Sequence, residues 1–218
     1  MEPTDDYPRD SIVGIFVATI NRVDENNNTR PTGVPDERAF GFKTHPKRAA
    51  RILEQRGPRQ QLFVVLDRAA QHVSDRLIEL ARINEGYRIL DIASGSGEPA
   101  VTAARKVGAR GLVVATDQSS AMLALARERA TTLGLANVKF VETDAETLAV
   151  EEVCFDAALC RWGLMFVPDL DAAARRIARL LTASGTFATA VWGPSERVPM
   201  ISLGEDAVRE SNFHRVTP

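Results

Sequence analysis

Three acids and a run of small residues carry the chemistry that this sequence could support. The stretch Asp91-Ile92-Ala93-Ser94-Gly95-Ser96-Gly97 puts alternating small residues directly after an apolar run. Glycines at the end of a strand let the backbone turn tightly and come close to a ligand. A helix that follows offers free N–H groups and the positive end of its dipole. Asp117 lies twenty residues beyond Gly97, at the end of the next expected strand, where a carboxylate can chelate ribose hydroxyls. Asp144 follows a third expected strand, placed to accept a bond from an adenine amino group. Either acid alone is explained equally well as the cap of a turn or helix. Both together with the small-residue loop point to an adenine nucleoside as ligand.

These residues need a scaffold that brings strand ends to one edge, and the chain has its pattern. Strands are expected over 88–92, 111–116, 138–142, 155–160 and 186–192. Helices are expected over 98–107, 119–133 with Ser119 as N-cap, and 169–181. Strands alternating with helices indicate a parallel sheet covered by helices. Upstream, a short basic helix is expected over 47–56. A longer one carries Leu62, Leu66, Ala69, Val73, Leu77 and Leu80 at three- and four-residue spacing, broken at Glu85-Gly86. The first 45 residues differ: the run 11–20 is rich in β-branched residues and reads as a strand, and a polar loop around Asn26 to Pro35 follows. The expected division is an N-terminal extension, 1–45, and one domain, 46–218, whose ligand-binding core spans 86–192.

Composition narrows the class. The 218 residues carry a net charge of -2, are 44% hydrophobic and 26% charged, and show no clustered basic face. A nucleic-acid footprint would need one, so no nucleic-acid partner is expected. Cys154 and Cys160 flank one strand, about 20 Å apart at ~3.3 Å per residue, too far for a bridge. They read as reduced thiols. Asp5, Asp6 and Asp10 stand where a signal peptide would be positive. The apolar run 12–20 is shorter than the ~20 residues a bilayer requires. The expectation is a cytoplasmic protein with no membrane span.

The motifs together resemble the class I S-adenosylmethionine-dependent methyltransferases, most closely the ubiquinone/menaquinone biosynthesis C-methyltransferase-like group. The resemblance rests on the loop 91–97, on Ala115-Thr116-Asp117-Gln118-Ser119-Ser120, on Val138-Lys139-Phe140-Val141-Glu142-Thr143-Asp144-Ala145, and on Phe155-Asp156-Ala157-Ala158-Leu159-Cys160-Arg161-Trp162. It runs from about residue 62 to 199. It implies S-adenosylmethionine as cofactor, lined by Ala93, Gly95 and Gly97. Asp91 would sit near the methionine amino group, Asp117 with Gln118 on the ribose, and Asp144 with Ala145 at the adenine. Cys160 and Arg161 would lie beside the methionine and the transferable methyl. Trp162, Met165 and Phe166 would wall the substrate or the sulfonium, unless they pack the core beneath a helix. Arg161 could also meet an acidic substrate group. His45, His72 and His214 fall in no motif, and no catalytic residue or metal site is assigned.

The implied fold is α/β: a Rossmann-like, mostly parallel sheet with helices on both faces. Two departures stand out. Ala93 replaces the first glycine of the motif, which is harmless if its φ is negative. No C-terminal strand pair is legible: 26 residues follow Trp192 (218 minus 192), and 200–213 reads as a helix. Strand 186–192 would then be an apolar edge, which invites pairing. The run 12–20 either pairs with it, in its own chain or across a homodimer, or packs elsewhere. The implied activity is methyl transfer to a carbon, nitrogen or oxygen of a small molecule. Two other readings stay open: a partner subunit that binds the cofactor without turnover, and an NAD-dependent oxidoreductase using Gly95 to Ala100 as G-x-G-x-x-A. Against the latter, the two tyrosines, Tyr7 and Tyr87, form no Tyr-x-x-x-Lys pair.

Overall fold

The structure, a computed structural model, describes residues 13–19, 70–151 and 154–193. Six strands make one sheet: β1 (Val13–Thr19), β2 (Arg88–Ile92), β3 (Leu112–Asp117), β4 (Val138–Glu142), β5 (Phe155–Arg161) and β6 (Leu181–Trp192). Their spatial order is β1-β6-β5-β2-β3-β4. All neighbouring pairs are parallel except β1 with β6. Among the described residues four α-helices accompany the strands: α1 (Gln71–Leu80), α2 (Ala100–Val107), α3 (Ser120–Thr132) and α4 (Leu170–Leu180).

Successive strand residues point to opposite faces, so β2 and β5 each serve two cores. Ile89, Ala157 and Leu159 pack with Val73 and Leu77 of α1 and with Ala100, Ala104 and Val107 of α2. Leu90, Ile92 and Ala158 pack on the other face with Ala174, Ile177 and Ala178 of α4. This is the helix-covered parallel sheet that the alternation predicts. α3 opens where expected, with Ser119 accepting from the Met122 N–H. Asp169 caps α4 by accepting from Ala172 N at 2.8 Å.

The strand at 12–20 does pair with the fifth strand of the alternating series, within its own chain. β1 runs antiparallel to β6 in unbroken register from Val13 opposite Trp192 to Thr19 opposite Thr186. Val13 is buried, and Val13, Ile15 and Val17 join the core on the α1 side.

Boundaries need correction in three places. The last strand starts at Leu181 rather than 186, because β6 bulges between its pairings with Phe155 and Ala157 and only then runs regularly. The helix expected from 98 starts at Ala100, since the loop turn extends through Pro99. α1 ends at Leu80, before Glu85-Gly86, with Arg82 at φ +52°. The expected helices at 47–56 and 200–213, and the part of the longer helix before residue 70, lie outside the described residues. Among the described residues no helix is long and apolar enough to cross a membrane. Cys154 is exposed, Cys160 is buried, and both are free thiols.

Candidate functional site

The C-terminal ends of β2, β3 and β5 meet at the small-residue loop. Asp91, near the end of β2, is fully buried. Its Oδ2 accepts from Ala100 N at 2.9 Å, so the carboxylate holds one of the N–H groups that the first turn of α2 leaves open. Its Oδ1 is buried without a hydrogen-bond partner. Burial pushes this carboxyl well above the ordinary value; the Arg161 guanidinium and the Ala100 N–H pull it down, and Glu98 and Asp117 push it up. The loop is tied across to β3, with Ser94 N donating to Thr116 O at 2.8 Å and Thr116 Oγ1 donating to Asp91 O at 3.1 Å.

Alternation in the loop is a backbone requirement. Ala93, Gly95 and Gly97 have φ of +55°, +55° and +107°. The condition under which alanine would be harmless at position 93, a negative φ, is therefore not met. The tight turn needs the left-handed region at all three positions, and an L-residue there costs about 1–2 kcal/mol. Gly97 also lets two backbones approach: a Cβ on it would stand 3.2 Å from Ala126 Cβ and 3.3 Å from Ala126 Cα on α3. At Gly95 a Cβ would meet only Met122 Cε, at 3.6 Å.

Asp117 closes β3 and clasps the loop. Its Oδ2 accepts from Gly95 N at 2.9 Å and its Oδ1 from Ser119 N at 2.9 Å. Burial raises its pKa, and the Ser119 and Gly95 N–H groups lower it. The capping role is thus real, yet each carboxylate oxygen retains a lone pair for a further donor. Asp144 is exposed, and its Oδ1 accepts from Glu146 N at 2.9 Å, Thr147 N at 2.8 Å and Thr147 Oγ1 at 3.1 Å. Gln118 is exposed and Ala145 half-buried.

At the end of β5 neighbouring residues take opposite faces. Cys160 sits in the core with Leu90, Ile92 and Leu164; burial first, and then the charge of Asp91, push its thiol up to about 12. It stays protonated and is no nucleophile at neutral pH. Arg161 points to the α1 side, where its Nη1 donates to Ser74 Oγ at 2.9 Å. Its guanidinium lies over the Trp162 ring, 5.0 Å from the centroid. Trp162 has φ +61° and stacks on Trp192, centroids 4.3 Å apart and planes 6° apart. Its Nε1 is buried without a hydrogen-bond partner. Met165 is buried and Phe166 half-buried in the 3-10 turn Leu164–Phe166. His72 is exposed on α1. Among the described residues no cluster of His, Cys, Asp and Glu could hold a metal.

Asp91 Oδ1, Ser94 Oγ and Trp162 Nε1 are all buried and unbonded. Buried polar atoms are normally satisfied, so these mark where a polar ligand would complete the bonding. Residues 83–213, more than half of the chain, match the family described as "Methyltransferase domain". The chain belongs to this methyltransferase family. Similar curated proteins include the ubiquinone/menaquinone biosynthesis C-methyltransferase UbiE of Xylella fastidiosa, 36% identical over 109 residues. The UbiE of Pseudomonas putida is 40% identical over 109 residues. Each match covers 50% of this chain and 43% of the relative, so the chain aligns with less than half of those proteins. Among solved structures, the SAM-dependent O-methyltransferase of Thermotoga maritima superposes with a TM-score of 0.50 and 26% identity, over 62% of this chain and 49% of that one.

Around this site the sequence reading missed Ser74 and Trp192. Ser74 had a signal: it is a polar residue on the stripe of Val73, Leu77 and Ile78, and it is fully buried. Trp192 had none, because only the pairing of β6 with β5 brings it against Trp162.

Proposed function

We propose that the chain is an S-adenosylmethionine-dependent methyltransferase that acts on a small molecule in the cytoplasm. One observation carries the reading beyond family membership: Asp117 reaches from the end of β3 to the amide of Gly95 at 2.9 Å. An acidic acceptor is thereby fixed beside a loop of small residues at a helix N-terminus, the arrangement that holds a nucleoside.

The residues divide the work as follows. Asp117 and Gln118 would hold the ribose, and Asp144 and Ala145 the adenine. Ala93, Gly95 and Gly97 would line the ligand, and Asp91 would take the ammonium of the methionine portion. When bound, S-adenosylmethionine supplies a methyl group on a sulfonium that is already activated for in-line displacement. The chain has then mainly to align the acceptor and exclude water, which can supply up to ~7–11 kcal/mol in ideal cases. Cys160 and Arg161 would lie beside the methionine portion and the transferable methyl, and Trp162, Met165 and Phe166 would wall the acceptor. A base is needed only where the acceptor atom has a proton to lose.

Calorimetry with S-adenosylhomocysteine and with NAD tests this. Binding of the first and not the second is expected, followed by methyl transfer in a small-molecule acceptor screen read by mass spectrometry. NAD binding without S-adenosylhomocysteine binding would sink the reading.

A further inference from the structure

Directly after Gly97 the chain buries a carboxylate, and three helices meet on it. Glu98 is 3% exposed. Its Oε1 accepts from Arg129 Nη2 of α3 at 2.8 Å. Its Oε2 accepts from Thr102 Oγ1 of α2 at 2.7 Å, and that hydroxyl accepts from Gln71 Nε2 of α1 at 2.9 Å. Hydrogen bonds to an ionised acceptor are short and strong, so this carboxylate is held firmly. Arg129 stands three residues beyond Ala126 on α3, and residues at that spacing share one side of a helix. Ala126 is the residue that a Cβ on Gly97 would meet at 3.2 Å. Upstream, Asp117 bonds both Gly95 N and the N–H of Ser119, the N-cap of α3. The loop is thus fastened beside α3 at two points, Gly95 through Asp117 and Glu98 through Arg129. Between the two points lie Gly95 and Gly97, the residue type with the widest choice of backbone conformations.

We propose that Glu98 is a positioning residue: its ion pair with Arg129 and its bond from Thr102 hold the loop 93–97 in the ligand-ready form before any ligand arrives. Glu98 touches no ligand itself. It acts through the glycines, which without the second fastening would sample other turns. Ordering the loop in advance removes that cost from the binding step. In its cofactor half the inference rests on the functional reading above; in its loop half it stands on the fold alone.

Glu98→Gln combined with Arg129→Met removes both charges, so no buried carboxylate is left without its cation. Without ligand, the Gly95 and Gly97 amides of this variant should exchange with solvent about ten-fold faster than in the parent, while those of Leu90 and Val114 in the sheet keep their rates. The dissociation constant for S-adenosylhomocysteine should rise by about the same ten-fold, because apparent affinity falls with the fraction of chains in the competent form. The loss should lie in the association rate constant, since the bound complex is unchanged. Arg129→Lys, which keeps a cation facing Glu98, should stay within about three-fold of the parent in both readings. Parental exchange at Gly95 and Gly97 overturns the proposal. So does a parental dissociation constant in a folded double variant of lowered melting temperature, where the pair only joins helices; the cofactor reading then survives. A loss confined to the dissociation rate overturns it as well, because Glu98 would then act in the bound complex. Should the double variant not fold, Glu98→Gln alone carries the same readings, with a change of at least about three-fold expected, and no change overturns the proposal. A parent that does not bind S-adenosylhomocysteine overturns the functional reading and the cofactor half with it.

Discussion

The methyl group of Ala93 fills the space in which a side chain at Gly163 would begin. A Cβ on Gly163 would fall 2.5 Å from Ala93 Cβ and 2.8 Å from Cys160 Sγ. The two residues follow β2 and β5 and pack against each other across the loop. The left-handed backbone at Ala93, φ +55°, is what aims its methyl there.

A double-mutant cycle should read this contact. Gly163→Ala alone should destabilise by about 1–3 kcal/mol through overpacking. Ala93→Gly alone should stabilise by about 0.5–1 kcal/mol, because glycine takes the left-handed region without strain. In the double variant the loss from Gly163→Ala should shrink by about 1 kcal/mol, with Cys160 Sγ accounting for the remainder. Urea denaturation measures all three. Strictly additive effects would show that the two positions do not compete for space.

Asp117 should cost both stability and binding when removed. Asp117→Ala leaves the Gly95 and Ser119 amides without their acceptor, a loss of roughly 2 kcal/mol in stability. S-adenosylhomocysteine affinity should fall by about 10- to 150-fold, the range for charge-assisted bonds to hydroxyls. A thermal shift without any change in the dissociation constant would reduce Asp117 to a cap.

Cofactor binding should release a proton. Burial raises Asp91 well above its ordinary 3.8, against the pull of Arg161 and the Ala100 N–H. The folded chain thus holds this proton more tightly than the unfolded one. The group favours the fold as pH drops through the raised value and costs stability above it. A ligand ammonium against Oδ1 favours the ionised form. Affinity should therefore rise with pH through a window lying above 3.8, and the binding enthalpy there should vary with the buffer's ionisation enthalpy. Asp91→Asn should abolish that buffer dependence. Its persistence in the variant would assign the proton to another group.

Removing residues 1–20 should turn β6 into an exposed edge. β1 covers it over the full register from Val13 to Thr19, and an uncovered apolar strand invites pairing between chains. The truncated chain should melt at a lower temperature and aggregate on heating. A truncation as soluble and as thermally stable as the parent would show that this pairing adds nothing to the fold.

Much of this protein is legible along the chain because local rules decide it. The three- and four-residue spacing of Val73, Leu77 and Leu80 marks α1, and the alternation of strands with helices marks the parallel sheet. Ser119 and Asp169 announce helix starts through side chains that bond an amide three residues on. The loop 91–97, Asp117 and Asp144 lie at or just after strand ends, as their places in the sequence indicate. Tertiary structure decided what depends on residues far apart in sequence. Only the sheet order sets β1 against β6, because an apolar run does not name its partner. Only packing sets the sign of φ at Ala93, where the loop must turn back to bond Thr116. Trp162 and Trp192 stack, and Ser74 receives Arg161, because parallel pairing brings the ends of β5 and β6 level beneath α1. Such contacts span 30 to nearly 90 residues of chain, and no periodicity or local propensity encodes them.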